Sequence, residues 1–435
     1  MMKRTKKNIL ILCTIWLSFM LVTGCTVSQK NETKHVTILY SSKSNFEQDF
    51  GNINQHFPNI KIDVIEYQSI LGNGVWNDFE FVPQSGDNWD AEMLISEIRD
   101  VNPDIMFFPL QLYPRLQEEG LLFDLSILSK ERELQNIDTQ ILDTFREMGN
   151  GNLYAVSNTI ATQALYYNRG IFKKYGITEP VDFMNWEDVL KLGNTISELG
   201  KSDEIVGLQT QNYGNVEMFL QAGKSNGLNW YDPVHNRVLF SSDAWKATLE
   251  LVVEKYKSEW NSKTQQELGS FSNGHVAMAL DTYRLKDELK QSNSDLDWDL
   301  VTAPVTSHDT NKSTAITFQY LNGINRETKD ISSTKEVWLY LNSSTVARTN
   351  FNANYFRFTL PVIKGLVKDD GKNVEAFYKV MPKISNDTEF PLNAKNELSS
   401  YLDKDIQKIV SGALSIDEAV KNWEIELLVI MQRYQ

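Results

Sequence analysis

The chain has 435 residues with 43 Lys+Arg against 57 Asp+Glu, a net charge of −14, and 41% of its residues are apolar and 11% aromatic. That length predicts more than one domain, and the apolar content is enough for packed cores, which excludes global disorder. The acidic balance argues against nucleic acid, whose phosphates need a basic surface, and two cysteines, Cys13 and Cys25, exclude a disulfide scaffold and a Cys-based zinc site.

At the start, Lys3, Arg4, Lys6 and Lys7 precede Ile9–Val22, about fourteen mostly apolar residues, short of the roughly 20 that a spanning helix needs. This order is that of a secretory signal peptide. Its end, Val22-Thr23-Gly24-Cys25, resembles the bacterial lipobox, in which small residues precede a cysteine that is lipidated and becomes the new N-terminus. The resemblance implies cleavage after residue 24 and lipidation of Cys25. Four of the 43 basic residues and no acidic one would be discarded, taking the net charge from −14 to −18. Acyl chains contribute roughly 0.8 kcal/mol per buried CH2, so two or more anchor a protein stably. Thr26–Lys34 is polar and reads as a tether.

The folded part is expected to begin with a strand at Val36–Tyr40, followed by a helix around Asn45–His56 that Pro58-Asn59 breaks. A second strand at Ile60–Tyr67 alternates apolar Ile62 and Val64 with polar Lys61 and Asp63. Met93, Leu94 and Ile98 mark a helix over Ala91–Asp100, and Asp104–Phe108 reads as a buried strand. Strand–helix–strand–helix–strand predicts an α/β layer on a parallel sheet. Farther on, Asn185-Trp-Glu-Asp188 opens a helix with the apolar face Val189, Leu192, Ile196 and Leu199, closed by Gly200. Ser333-Thr-Lys-Glu336 and Ser415-Ile-Asp-Glu418 read as capping boxes that put Trp338 and Trp423 in the core.

Several patterns that look catalytic fail on spacing. Gly223-Lys224-Ser225 lacks the glycine five residues upstream that a phosphate loop needs, where Met218 stands. Asp295, Asp297 and Asp299 have calcium-loop spacing, but Leu300 and Thr306 replace its Gly and Glu. His35, His56, His235, His275 and His308 share no metal-ligand spacing, and no G-x-S-x-G elbow occurs. Neither a metal nor another cofactor is expected, and an enzyme is not. A carboxylate pair for glycoside hydrolysis would come from distant positions and leaves no local mark.

One series of blocks is more specific. Gly151-Asn-Leu-Tyr-Ala-Val-Ser157-Asn158-Thr159 is followed by Leu165-Tyr-Tyr-Asn168-Arg-Gly170-Ile-Phe172-Lys-Lys-Tyr175-Gly176 and by Trp186-Glu-Asp-Val-Leu190. Asn102-Pro-Asp-Ile105 with Glu119-Gly-Leu-Leu122 lies before them. Phe271-Ser-Asn-Gly274-His-Val-Ala277-Met278, Trp298–Pro304, Gly323–Leu341 and Ser411–Ala419 lie after them. In this order they resemble the family 1 extracellular solute-binding proteins, the maltose-binding-protein-like receptors of carbohydrate ABC importers. Ser157 departs from the family's usual Pro, and Thr282-Tyr283-Arg284 from its common G-x-W. Both departures lie near the ligand and put the sugar type in doubt.

The resemblance implies an α/β, two-lobe periplasmic-binding-protein-like fold of type II, with the ligand cleft between lobes joined by crossover hinge segments. Block matching divides the chain into a signal peptide at 1–24, the lipidated Cys and tether at 25–35, lobe one at 36–156 plus 318–348, and lobe two at 157–310 plus 355–435. Ligands in such folds meet loops at the carboxyl ends of strands. Strand ends give Ser41, Ser42, Phe108, Gln111, Asp281, Tyr283 and Arg284 as expected cleft residues, and the resemblance implies Asn158, Thr159 and Thr162 at the first crossover, Tyr213 in a loop where the family commonly stacks an aromatic, and Gln319, Tyr320, Tyr355 and Arg357 at the other two crossovers. Sugar rings pack an apolar face on aromatics, and their hydroxyls suit planar polar groups. Trp76, Trp89 and Trp230 are aromatic candidates that no block places, and Arg284 and Arg357 leave an acidic sugar open. The implied protein is a monomer on the extracellular face of a bacterial cell membrane. It is anchored through Cys25, takes a carbohydrate and delivers it to an ABC importer permease. The alternatives are a ligand-sensing or adhesion lipoprotein of the same fold, or a secreted glycosidase.

Overall fold

The computed structural model describes residues 34–51, 53–67, 74–76, 81–83, 91–210, 214–260, 271–292, 295–353, 358–363, 365–368, 371–384 and 394–433. Cys25, the N-terminal segment, Trp89, Tyr213, Tyr355 and Arg357 lie outside the described residues.

The strands that position the site are, in chain order, β1 (Lys34–Tyr40), β2 (Ile60–Glu66), β3 (Ile105–Pro109), β4 (Thr159–Ala161), β5 (Ala164–Asn168), β6 (Val206–Thr210), β7 (Val276–Asp281), β8 (Trp298–Thr302), β9 (Tyr320–Ile324) and β10 (Thr359–Pro361). One sheet has the order β2-β1-β3-β9 and another β8-β5-β7-β6. In the first sheet β1 pairs parallel with β2 and β3, as the alternation of strands and helices predicts, and β9 joins antiparallel to β3. In the second, β5 runs antiparallel to both β7 and β8, and β6 is parallel to β7. Three of the inner strands, β3, β5 and β7, are buried at every position, while the inner β1 is exposed at its start. Covered on both faces, they read as unbroken apolar runs rather than alternating ones.

Local signals set most helix boundaries. Asn185 Oδ1 accepts the Asp188 amide at 2.9 Å, and Ser415 Oγ that of Glu418 at 3.3 Å, so both predicted caps form. Trp338 and Trp423 are fully buried. Two expectations need correction. The helix expected over Asn45–His56 is two helices, Lys43–Phe50 and Ile53–His56. Gly51, at φ 56°, takes the left-handed conformation that L side chains resist and stops the first. The second correction is at Ser333, which lies inside its helix rather than capping it. The cap is Asp330, whose Oδ1 accepts the Ser333 amide at 3.1 Å while Ser333 Oγ donates to Oδ2 at 2.6 Å.

Those two bonds hold the Asp330 carboxyl below its ordinary range. Its folded value lies below its unfolded one, so the stabilisation is present above the unfolded carboxylate range and is lost as pH falls through the lowered value. Asp330→Ala is expected to cost about 1 kcal/mol at neutral pH, with the difference from wild type vanishing in acid. Thermal unfolding followed across that pH range measures both.

The motifs rejected on spacing have packing roles. Gly223 lies within the helix Asn215–Ser225, where a Cβ would sit 2.1 Å from the Trp245 ring, and Ser225 Oγ donates to the Val305 carbonyl at 2.9 Å. Phe219, Phe240, Trp245 and Trp423 form an aromatic core around that close approach. Asp299 pairs with Arg169 at 2.5 Å. Among the described residues no group of three or more His, Cys, Asp or Glu could hold a metal ion, and no helix is long and apolar enough to cross a membrane.

Candidate functional site

The strand registers build one edge on each sheet and the connections between them. On the first sheet, Ser41 and Ser42 follow β1, and Leu110 and Gln111 follow β3. The antiparallel β9 sets Tyr320 opposite Pro109, bringing Gln319 and Tyr320 to the same edge. The floor here is aromatic, with Tyr40 packed edge-on against Phe46, Phe50 and Phe107. The Tyr40 hydroxyl donates to Asp49, whose carboxyl burial pushes above its usual range. On the second sheet Ala164 lies opposite both Asp281 and Thr302, so Thr162 and Gln163 share an edge with Asp281, Tyr283 and Arg284.

Three crossing segments join the edges. β4 pairs antiparallel with β10, Ala161 opposite Thr359 and Thr159 opposite Pro361. Ala161 also exchanges two 2.9 Å backbone bonds with Thr317. The first crossing segment is moored to the first sheet by a side-chain amide cluster. Asn158 Nδ2 donates to the Leu341 carbonyl at 2.7 Å, Asn322 Nδ2 donates to Asn158 Oδ1 at 2.6 Å, and Asn342 Nδ2 donates to Asn322 Oδ1 at 2.9 Å. Ser157 Oγ, where the resembled family has Pro, donates to the Thr159 carbonyl at 2.6 Å and closes the turn with a hydroxyl instead of a ring.

The predicted residues fall into different surroundings. Ser42 Oγ caps the helix Lys43–Phe50, Ser41 Oγ accepts from Asn45 Nδ2 at 3.2 Å, and Gln111 is exposed. Thr159, Gln319 and Tyr320 are half-buried along the crossing strands and the first edge. Phe108 is fully buried and faces the core, and Thr162 is buried with its hydroxyl donating to the Phe377 carbonyl at 3.0 Å. Trp230 is buried beside Tyr231 and Phe240, so it is a core residue. Tyr283 is buried between Phe351 and Phe377, with ring centroids 6.0 and 5.7 Å away, and its hydroxyl accepts from Lys286 Nζ at 3.2 Å.

Asp281 and Arg284 come together as an ion pair at 3.2 Å, and Arg284 reaches Glu288 as well. Burial raises the Asp281 carboxyl above its usual range against the pull of Arg284 and of the Thr282 amide, whose bond is 2.7 Å. The Arg284 guanidinium also lies 6.0 Å from the Phe358 ring centroid, just ahead of β10.

Gln163, Phe351, Phe358 and Phe377 carry no sequence signal of a site, because register and tertiary packing alone bring them here, whereas Glu288 meets Arg284 by i,i+4 spacing on one helix. Gln163 Oε1 is buried without a hydrogen-bond partner. A depression of about 510 Å³ lies elsewhere, on the outer side of β2 beside Phe46, Glu47 and Val64. A cavity of about 10 Å³, the size of one water, sits by Ser157, Asn158 and Asn342 at the crossing.

Two sheet edges that carry aromatic, hydroxyl and amide groups are thus joined by three crossing segments. The profile of the bacterial extracellular solute-binding proteins matches residues 41–321. The chain is similar in structure to the sugar-binding protein MalE of Xanthomonas citri, with a TM-score of 0.61 at 14% identity over 92% of this chain and 98% of that one. It is similar to a putative binding protein of Bacillus subtilis solved in an open conformation, with a TM-score of 0.60 at 15% identity over 92% and 98%. A third similar structure is an ABC substrate-binding protein of Listeria monocytogenes in complex with cycloalternan, with a TM-score of 0.52 at 16% identity over 92% and 100%. At these identities the structures establish the two-lobe α/β fold, and the profile, covering well over half of the chain, establishes the family. The chain belongs to the bacterial extracellular solute-binding proteins, a family of binding proteins.

Proposed function

We propose that this solute-binding protein captures a sugar or oligosaccharide between its lobes and delivers it to the permease of an ABC importer. The observation that supports the reading is a pair of sheet edges, one with Ser41, Ser42, Gln111, Gln319 and Tyr320, the other with Asp281 and Arg284, joined by three crossing segments. Planar polar groups and hydroxyls beside aromatic rings are what polyhydroxylated rings require. In this reading residues 36–156 with 318–348 move as one lobe and 157–310 with 355–435 as the other. The ligand touches both, so it stabilises the closed form by differential affinity. Tyr213, Tyr355 and Arg357 complete the expected lining. A thermal-shift screen against carbohydrates, peptides and metal ions tests it. Stabilisation by one or more carbohydrates is expected, and stabilisation by peptides or metals alone would defeat it.

The protein acts as a monomer held to the outer face of the cell membrane through a lipid on Cys25, with the signal peptide removed. Cys25→Ala is expected to abolish incorporation of labelled fatty acid and to move the protein from the membrane fraction to the medium. Fractionation with labelling measures both.

A further inference from the structure

We infer that the groove between the free edge of β2 and the helix Lys43–Phe50 is a peptide-binding site, which takes an extended segment of another polypeptide as an added strand. The segment it fits carries a carboxylate and a Lys or Arg two residues apart. The groove follows the middle of β2 rather than the strand ends that carry the expected cleft residues, and the inference does not rest on the carbohydrate reading.

The first support is the wall that β2 makes. The groove has a volume of about 510 Å³, and four consecutive residues of the strand line it, Lys61, Ile62, Asp63 and Val64. Successive side chains of a strand point to opposite faces, so side chains alone cannot bring all four to one groove. The main-chain edge does. β2 is the outermost strand of its sheet, and among the described residues no strand pairs with its other side. About half of its N–H and C=O groups therefore face the groove without a ladder partner. An extended peptide laid beside them supplies those partners, and its alternate side chains read the rest of the groove.

The second support is the opposite wall. The helix begins beside Glu66, whose carboxylate accepts the Lys43 amide at 2.6 Å, and runs back along the strand. It presents Lys43 and Glu47 to the groove, both exposed and neither with a side-chain partner among the described residues. On the strand side the charges already satisfy one another, since Asp63 pairs with Lys61 Nζ at 2.7 Å and lies 2.6 Å from His35 Nε2. What remains is one cation and one anion, a helical turn or about 6 Å apart along the axis. Side chains two residues apart on a strand share a face and lie about 6.7 Å apart, so a carboxylate and a cation at that spacing reach Lys43 and Glu47 together. Val64, half-buried, offers a neighbouring side chain an apolar contact, with Phe46 and Ile53 buried behind it. Charges on an edge strand oppose indiscriminate pairing, so Lys61 and Asp63 restrict the groove to a peptide of matching charge.

The test is titration of the full-length protein in detergent with short blocked peptides of Val and Thr that carry either Asp-x-Lys or Lys-x-Asp. Lys43 lies at the carboxyl end of β2, so Asp-x-Lys fits an antiparallel strand and Lys-x-Asp a parallel one. Antiparallel pairing is the more stable, and Asp-x-Lys is expected to bind about three-fold tighter. An Asn-x-Gln control is expected to be about five-fold weaker than Asp-x-Lys. Lys43→Glu combined with Glu47→Lys, both at exposed sites, is expected to invert the order preference. Hydrogen exchange reads the binding mode. Saturating peptide is expected to slow exchange about ten-fold or more at the amides of Lys61–Val64 that face away from β1. No binding by either order, binding that leaves these amides unprotected, or an order preference that the double variant keeps would overturn the inference. Protection of the same amides by a carbohydrate, or in the protein alone, would place a sugar, this chain itself or a second copy on the edge and overturn it too.

Discussion

Gly207→Ala is expected to destabilise the protein by about 3 kcal/mol, and equilibrium urea unfolding measures it. Gly207 sits in β6 directly under the helix Trp186–Leu199. A Cβ there would lie 1.8 Å from the Gly193 carbonyl oxygen, 2.6 Å from its carbon and 2.7 Å from Ser197 Oγ. Backbone cannot swing aside as a side chain can, so helix and strand must separate. Separation would also strain the 2.8 Å bond from the Gly207 amide to Ser197 Oγ. Gly193 answers from the helix side, where an added Cβ would meet Leu208 Cβ at 2.9 Å. The two glycines thus allow helix and sheet to touch backbone to backbone. β6 pairs with β7, Thr210 opposite Leu280, so a displaced β6 also disturbs the edge that carries Asp281. Ligand affinity should therefore fall along with stability. Leu199→Ala, at a 53% exposed site on the same helix, is the control and should stay within about 0.5 kcal/mol of wild type.

The second large effect is expected at the crossing. Asn322→Ala should cost about 3 kcal/mol, because it strips partners from two other amides in low-dielectric surroundings. Asn322 is 1% exposed; it donates to Asn158 Oδ1 at 2.6 Å and accepts from Asn342 Nδ2 at 2.9 Å. Its backbone also exchanges bonds with Val156, at 2.6 and 3.0 Å. These contacts hold the first crossing segment to the first sheet as far as Asn158, so under the proposed lobe closure bending is expected in β4 and its partners Thr317 and Thr359–Pro361. Loss of the cluster should extend the flexible stretch toward Val156. The expected readout is a broader distribution of inter-lobe distances in solution scattering, together with the lower urea midpoint. A lower midpoint with unchanged scattering would assign the cluster to stability alone.

Much of the local structure was legible because its causes lie within a few residues. Asn185 and Ser415 cap their helices as their spacing predicts, and β1, β2 and β3 form a parallel layer. Ser333 shows where local reading fails. Asp330-x-x-Ser333 and Ser333-x-x-Glu336 are overlapping signals, and starting at Ile331 adds a turn that Asp330 can cap with both carboxylate oxygens. For the site, strand ends located Ser41, Gln111, Asp281 and Arg284 on their edges, but strand ends do not say which way a side chain turns. Phe108 turns to the core, and Asn158 and Thr162 turn to structural partners.

The sequence by itself determined the ordered blocks, the caps and the apolar runs of the inner strands, since periodicity and capping act over one or two helical turns. Tertiary structure alone decided that Ala164 lies opposite Asp281 and that Asn158 meets Asn322. It also decided that Gln163 keeps an unpaired oxygen, whereas the pairs of Arg284 with Asp281 and Glu288 are local, three and four residues away. Contacts between residues more than a hundred positions apart are fixed by sheet register and packing, which no local spacing encodes.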